Sequence, residues 1–281
     1  MEFHENDLIS LYLQNLAIIE QCHSQHQEIM LLKHPLLGKV LIINGEIQHI
    51  EKYQVFYHEM LVHLPIAFIP HLESALIIGG GSLFAAYEVL KYKSLKKIIL
   101  CDYDHTVLDV MCRHYKHAKD VMSDPRFTYI EEEGSQYILN ETTQYDLIVN
   151  DCFNLAALSG SKGDSYFEML SKINTSHGVC VDIIYRHIFD KKTTIDTLNY
   201  LLDQENIVLS LVAVPEYPGI LHLETVWGKS PNIHQSLMYP INDIQKDVIN
   251  NVESMQYYYY NPRNLAFYLY LPPYIKELFS L

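Results

Sequence analysis

ALIIGGGSLFAAYEVL, residues 75–90, limits the fold of this chain more than any other stretch. Four apolar residues read as a buried strand. Three consecutive glycines then allow a sharp bend and a close approach of backbone to a ligand. An amphipathic segment follows, and the first N–H groups of such a helix are unsatisfied. A strand, a glycine turn and a helix in that order make the first part of a βαβ unit. The spacing is not G-x-G-x-x-G, because Ser82 follows Gly79, Gly80 and Gly81 and no glycine comes later.

The same alternation continues downstream. Strand KKIILCD precedes helix HTVLDVMCRHYKH. Strand FTYIEE precedes helix GSQYIL. Strand DLIVND precedes helix YFEMLSKI, and strand GVCVDII follows. Strands alternating with helices predict right-handed crossovers and a mostly parallel sheet covered by helices on both faces. Upstream the pattern differs. QEIMLLKHPLLGKVLIINGEIQHI holds three short apolar runs, and Asn44-Gly45 between two of them is a strong hairpin signal. Residues 7–20 fit a short helix or a strand. Residues 1–52 therefore read as a small antiparallel β-domain, and 53–281 as a larger α/β domain opened by a helix at YQVFYHEMLVHL. The expected class is α/β, a Rossmann-like sheet with a small N-terminal β-domain.

Ligands of such sheets sit beyond the carboxyl ends of the strands. The residues placed there are Gly79–Ser82, Asp102, Glu132–Glu133 and Asp151, several of them acidic. Asp102 lies about twenty residues after the glycines, where a carboxylate accepts from ribose hydroxyls; helix capping is its other use, and Asp104 is the better cap. The turn carries no basic residue for a pyrophosphate, which favours an adenosine without phosphates. Asp151 is either a loop cap or a catalytic group. Cys112, His114 and His117 have a spacing compatible with metal, but Arg113 and Lys116 lie between them, so no metal is expected. The run Tyr257–Tyr260 reads as a strand with alternating faces.

A formal charge of −14 on 281 residues argues against a nucleic-acid partner, which needs clustered Lys and Arg; it suits a cationic ligand and is also an ordinary solubility device. The five cysteines include no C-x-x-C pair, and no apolar run is long enough to span a bilayer. A cytoplasmic location with reduced thiols and no membrane partner is expected.

VLIINGEIQHIEKYQVFYHEMLVHLPI, residues 40–66, followed by the glycine turn, resembles the polyamine aminopropyltransferase family, spermidine synthase and its relatives. The shared block is Y-H-E-M-L-x-H-x-P beside N-G-x-I-Q. Ser24–Ile29, Pro215-Glu216-Tyr217-Pro218-Gly219, and Tyr259-Tyr260-Asn261-Pro262 with Leu271-Pro272 resemble further family segments, so the likeness runs from about residue 24 to the end.

The resemblance implies a β-domain on a methyltransferase-like domain, an active site between them and a homodimer. It implies decarboxylated S-adenosylmethionine as co-substrate, with no other cofactor, and a polyamine acceptor. By match to the family, Asp151 takes the proton of the attacking amine, and Tyr57 and Tyr217 orient that nitrogen. Gln27, His58, the three glycines, Ser82, Asp102 and Glu133 hold the donor. Gln48 and Asn154 join Tyr57, Asp151 and Tyr217 around the acceptor.

The chain also departs from the family pattern. Ser82 replaces an Asp that binds the donor's amine, Leu83 replaces the next Gly, and Asn154 replaces a second Asp. Ile183 and Tyr185 stand for a Gln-x-Glu, and Leu265 for a His. The sequence leaves open whether a neighbouring carboxyl such as Glu59, Asp182 or Glu216 compensates at Ser82. Two alternatives follow from these departures. One is aminocarboxypropyl transfer from S-adenosylmethionine itself; the other is a non-catalytic nucleoside-binding module.

Overall fold

The computed structural model describes residues 1–4, 10–152, 161–185, 195–196, 199, 206–217, 222–233 and 255–279. A four-stranded antiparallel sheet is built in chain order from β3 (Ala17–His23), β4 (Glu28–His34), β5 (Gly38–Ile43) and β6 (Glu46–Ile50). A small ribbon, β1 (Glu2–His4) with β2 (Ser10–Tyr12), precedes it. Residues 10–12 and 17–23 are thus strand, not helix. The β5–β6 turn has φ of 51° at Asn44 and 83° at Gly45, both in the left-handed region that the Asn-Gly pair tolerates. Leu32, Val40, Ile42, Ile47 and Ile50 form this sheet's own buried cluster.

The larger sheet has seven strands. In spatial order they are β12 (Asn206–Val212), β13 (His222–Gly228), β11 (Asn174–Tyr185), β10 (Tyr145–Asp151), β7 (Ser74–Gly79), β8 (Lys97–Asp102) and β9 (Phe127–Glu131). The five from β11 to β9 run parallel, and β13 is antiparallel to both of its neighbours. Helices α1 (Gln54–Ile66), α2 (Phe84–Leu90), α3 (His105–His114), α4 (Lys116–Ser123), α5 (Gly134–Asn140) and α6 (Ser161–Lys172) complete the layers. β7 and β10 are buried through their length, as expected of parallel strands covered on both faces. The mostly parallel sheet with a small antiparallel sheet before it is the architecture that the strand and helix pattern predicts.

Two expectations fail. The helix predicted over HTVLDVMCRHYKH is two helices. Tyr115 breaks it with an extended backbone (φ −123°, ψ 132°). Its ring is buried against Phe84 and its hydroxyl lies 3.0 Å from His49 Nε2, so a contact with the N-terminal sheet overrides helical propensity. Nor is Tyr257–Tyr260 a strand. The backbone N–H groups of Tyr258, Tyr259 and Tyr260 all converge on the buried Glu59 carboxylate of α1, at 2.7 to 3.2 Å. Those donors are satisfied by one side chain instead of a ladder.

Candidate functional site

The carboxyl ends of β7, β8, β9 and β10 open on one cavity of about 550 Å3. Its far wall comes from β5, β6 and the start of α1. Every predicted site residue that is described lines it: Gln27, Gln48, Tyr57, His58, Gly79, Gly80, Gly81, Ser82, Asp102, Glu133, Asp151 and Tyr217. Asn154 lies outside the described residues.

The glycines are needed for two reasons. Gly79 and Gly80 have φ of 75° and 77°. A Cβ on Gly79 would meet the Asp151 carbonyl oxygen at 2.8 Å, and one on Gly80 would meet Asp151 Oδ2 at 2.9 Å. The turn is therefore pressed against Asp151. Leu83 also lies in the left-handed region, with φ of 64° and its side chain fully buried. The backbone keeps this bend without a glycine, at a cost of about 1–2 kcal/mol.

The nucleoside end is built from fixed acceptors. Asp102 ends β8 and accepts from the Gly81 N–H and the Asp104 N–H, each at 3.0 Å. Burial raises its carboxyl, and these N–H groups pull it back. Asp104 caps α3 by accepting from the Thr106 N–H, as its place predicts, and its other oxygen accepts from the Ser24 hydroxyl at 2.6 Å. That contact docks the β3–β4 turn onto the larger sheet. It carries Gln27 to the site, where Gln27 Oε1 accepts from the Tyr103 hydroxyl at 3.2 Å. Glu133 caps α5. Desolvation works to raise its carboxyl, but donors from Ser135 and Gln136 outweigh it and leave the group below its usual range. Ile78, Cys101 and Val107 add apolar wall beside these polar groups.

The centre is Asp151. Its Oδ1 accepts from the Tyr57 hydroxyl at 3.0 Å. Neighbouring atoms enclose the carboxylate, yet part of it still opens on the cavity. Desolvation pushes its pKa up to about 7, against the lowering effect of the Tyr57 bond. Tyr57 itself is pushed up by burial and by Asp151, so it remains a donor. His58 donates Nδ1–H to the Gln54 carbonyl at 2.9 Å, and burial lowers its pKa to about 4, so the ring is neutral. The Tyr217 hydroxyl donates to the Ile47 carbonyl at 2.5 Å, tying β6 to the loop after β12.

Ser82 faces the cavity, and its carbonyl accepts from His117 Nε2 at 3.0 Å. His117 stacks on Phe84 and His114 meets Glu20, so Cys112, His114 and His117 do not converge. Among the described residues, no group of three His, Cys, Asp or Glu is placed to hold a metal. Glu59 is occupied by the tyrosine backbone, and Asp182 accepts from Asn150 Nδ2 and Trp227 Nε1, each at 2.6 Å. Glu216 alone of the three proposed neighbours lines the cavity. Ile183 and Leu265 pack into the core. Sequence reasoning missed Tyr103, Cys152, Tyr166 and His222 as lining residues. Tyr103 and Cys152 each directly follow a strand-end carboxylate, a signal that could have found them.

Known proteins share this fold. Two solved spermidine synthase structures match the fold, each with a TM-score of 0.80 and 94% of this chain covered. One, in complex with the transition state analogue AdoDATO, is 23% identical with 88% of its chain covered. The other, from Thermotoga maritima, is 24% identical with 87% covered. Putrescine N-methyltransferase 1 of Nicotiana attenuata is 28% identical over 90% of this chain and 66% of its own length. This chain spans about two thirds of the length of such relatives. A polyamine aminopropyltransferase of Hydrogenobaculum is 38% identical over 48% of each chain. One of Aquifex aeolicus is 28% identical over 83% of this chain and 71% of its own. The spermine/spermidine synthase domain matches residues 54–237, from α1 to just beyond β13. The chain belongs to the spermine/spermidine synthase family.

Proposed function

We propose that this protein moves the aminopropyl group of decarboxylated S-adenosylmethionine to an amine such as putrescine, releasing methylthioadenosine. The observation that carries the reading is Asp151, a carboxyl with a pKa of about 7 at the centre of the cavity, between the glycine turn and Tyr57. An aliphatic amine has a pKa near ~10.4, like lysine, and arrives protonated. It must lose a proton before it can attack. Asp151, half-ionised near neutral pH, accepts that proton and holds the nitrogen in line. The nitrogen lone pair then forms a bond to the methylene beside the sulfonium. The C–S bond breaks, and its electron pair stays on sulfur as neutral methylthioadenosine leaves.

The remaining residues divide by place. Asp102 receives the ribose hydroxyls and Glu133 the adenine amino group, with Gln27 beside them. His58 and Ser82 flank the aminopropyl tail. Gln48, Tyr57, Tyr217 and Asn154 serve the acceptor. The donor is a co-substrate, and the reaction as written uses no other cofactor. A cytoplasmic homodimer, with residues 1–52 and 53–281 as its folding units, belongs to the same reading. Among the described residues, no helix is long and apolar enough to cross a membrane.

A second reading, transfer of a methyl or aminocarboxypropyl group from intact S-adenosylmethionine, has two observations in its favour. Ser82 carries no charge to repel a donor carboxylate, which suits intact S-adenosylmethionine. The Nicotiana relatives are named putrescine N-methyltransferases. One assay separates the readings. The purified protein is incubated with putrescine and either donor, and products are resolved by mass. Methylthioadenosine and spermidine from the decarboxylated donor are expected. S-adenosylhomocysteine and N-methylputrescine from the intact donor would replace the first reading with the second. Methylthioadenosine from the intact donor would indicate aminocarboxypropyl transfer.

A further inference from the structure

Among the described residues, two carboxyls have buried oxygens with no hydrogen-bond partner: Glu216 at Oε2, and Glu224 at both oxygens. A buried acceptor without a donor is costly, and native folds rarely keep one without a use. Glu216 is only 3% exposed, yet it lines the reaction cavity. Glu224 is fully buried on the next strand, close enough to Tyr57 to raise its hydroxyl pKa.

Sheet order shows where Glu216 lies relative to the chemistry. Asp102 ends β8 and Glu133 follows β9, toward one edge of the sheet. Asp151 ends β10, nearer the middle. Glu216 and His222 belong to the β12 and β13 edge, on the far side of Asp151 from the nucleoside. Two strand spacings, about 10 Å, separate β10 from β13. Asp151, at the end of β10, and Glu216, in the segment between β12 and β13, both line the cavity, and a strand offset of this size is on the order of a short aliphatic chain. Tyr57, Tyr217, Val214 and Gln48 line the same cavity. The Tyr217 hydroxyl already donates to Ile47.

We propose that Glu216 binds the second, non-reacting ammonium of the acceptor, so that the site selects diamines and polyamines over monoamines of the same length. The inference rests on the aminopropyl-transfer reading for the position of the first nitrogen at Asp151. An ammonium donates up to three N–H bonds and supplies what Glu216 Oε2 lacks. Burial pushes the Glu216 carboxyl up to about 7, against the lowering effect of the Glu216 and Ile50 backbone N–H groups, and a bound cation favours its ionised form. Those N–H groups leave Oε2 without a donor among the described residues, and the acceptor's ammonium supplies one.

The test compares 1,4-diaminobutane with 1-aminobutane by calorimetric titration at pH 8, with methylthioadenosine present, on wild type and Glu216→Gln. Wild type binds the diamine about 10- to 100-fold more tightly, the worth of one charged hydrogen-bonded contact. In Glu216→Gln that ratio collapses toward one. In Glu216→Asp, which keeps the charge on a shorter arm, it is intermediate. A ratio unchanged by Glu216→Gln overturns the proposal, as does a wild type that binds both amines equally. Equilibrium binding is read without turnover, so a failure here is distinct from a failure to form methylthioadenosine, which would sink the transfer reading instead.

Discussion

The two halves of the cavity handle charge in opposite ways. On the nucleoside side each carboxylate is already satisfied: Asp102 by two backbone N–H groups, Glu133 by Ser135 and Gln136. On the amine side the carboxyls are sparsely bonded. Among the described residues, Asp151 has one hydroxyl donor, Glu216 leaves Oε2 bare, and Glu224 has no partner on either oxygen. The difference follows from the ligands proposed. A neutral nucleoside needs rigid acceptors held in place beforehand. A cation brings its own donors, and a carboxyl saved for it must go without until then.

The sharpest way to break that contrast is a pair of substitutions. Asp151→Asn removes the proton acceptor while keeping size and the Tyr57 contact. Turnover should fall by about 100- to 10,000-fold, the usual worth of a general base, with methylthioadenosine affinity nearly unchanged. Asp102→Asn should do the reverse, weakening methylthioadenosine about 10- to 100-fold through loss of charged acceptor bonds. Steady-state rates and titrations on both variants check the split. If Asp151→Asn weakens the nucleoside as much as it slows the reaction, the two halves are not separate.

Much of this division is written locally in the chain. The period of the strands, the triple glycine and the strand-end carboxylates together put Asp102 and Asp151 at the ligand edge, because a parallel sheet delivers its strand ends there. The hairpin at Asn44-Gly45 is equally local. What escapes is long-range polar capture. Glu59 takes the N–H groups of a segment about 200 residues away, and no periodicity in Tyr257–Tyr260 reports that. Tyr115 leaves its helix for His49 by the same kind of contact. Glu216 lies between Pro215 and Tyr217, where nothing in the local sequence marks it as a binding residue. Its missing partner is a property of the folded packing, which no local pattern encodes.

Ser82 blurs the contrast, because it sits on the nucleoside side where the donor's own ammonium must end. A hydroxyl there bonds an ammonium without neutralising it. Ser82→Asp should tighten binding of decarboxylated S-adenosylmethionine by about 10-fold and weaken the intact donor. Titration with both donors reads this directly. Unchanged binding of the decarboxylated donor would mean that position 82 does not face the tail.

The smallest effect is on stability, and it follows from the buried carboxyls. Burial lifts Asp182 to about 6, Asp151 and Glu216 to about 7, and Glu224 to about 8. Unfolded carboxyls titrate near ~4. Between those values the folded state holds more protons, so these groups make the fold less stable as pH rises. Buried histidines act the other way. His49, His58 and His63 are all lowered by desolvation, so the unfolded state takes up more protons below about 6.5 and stability is lost there on acidification. The two sets oppose each other from about pH 4.5 to 6.5, and only the carboxyls act above that. Thermal melts should therefore show a plateau across the first range and a decline from about 6.5 to 8. Glu224→Met, which removes the unpartnered carboxyl at similar volume, should raise stability by about 1–3 kcal/mol at pH 8 and make the decline shallower. A lower melting temperature in that variant would show that Glu224 is held by a partner in the folded protein, and the amine half would then be as fully bonded there as the nucleoside half.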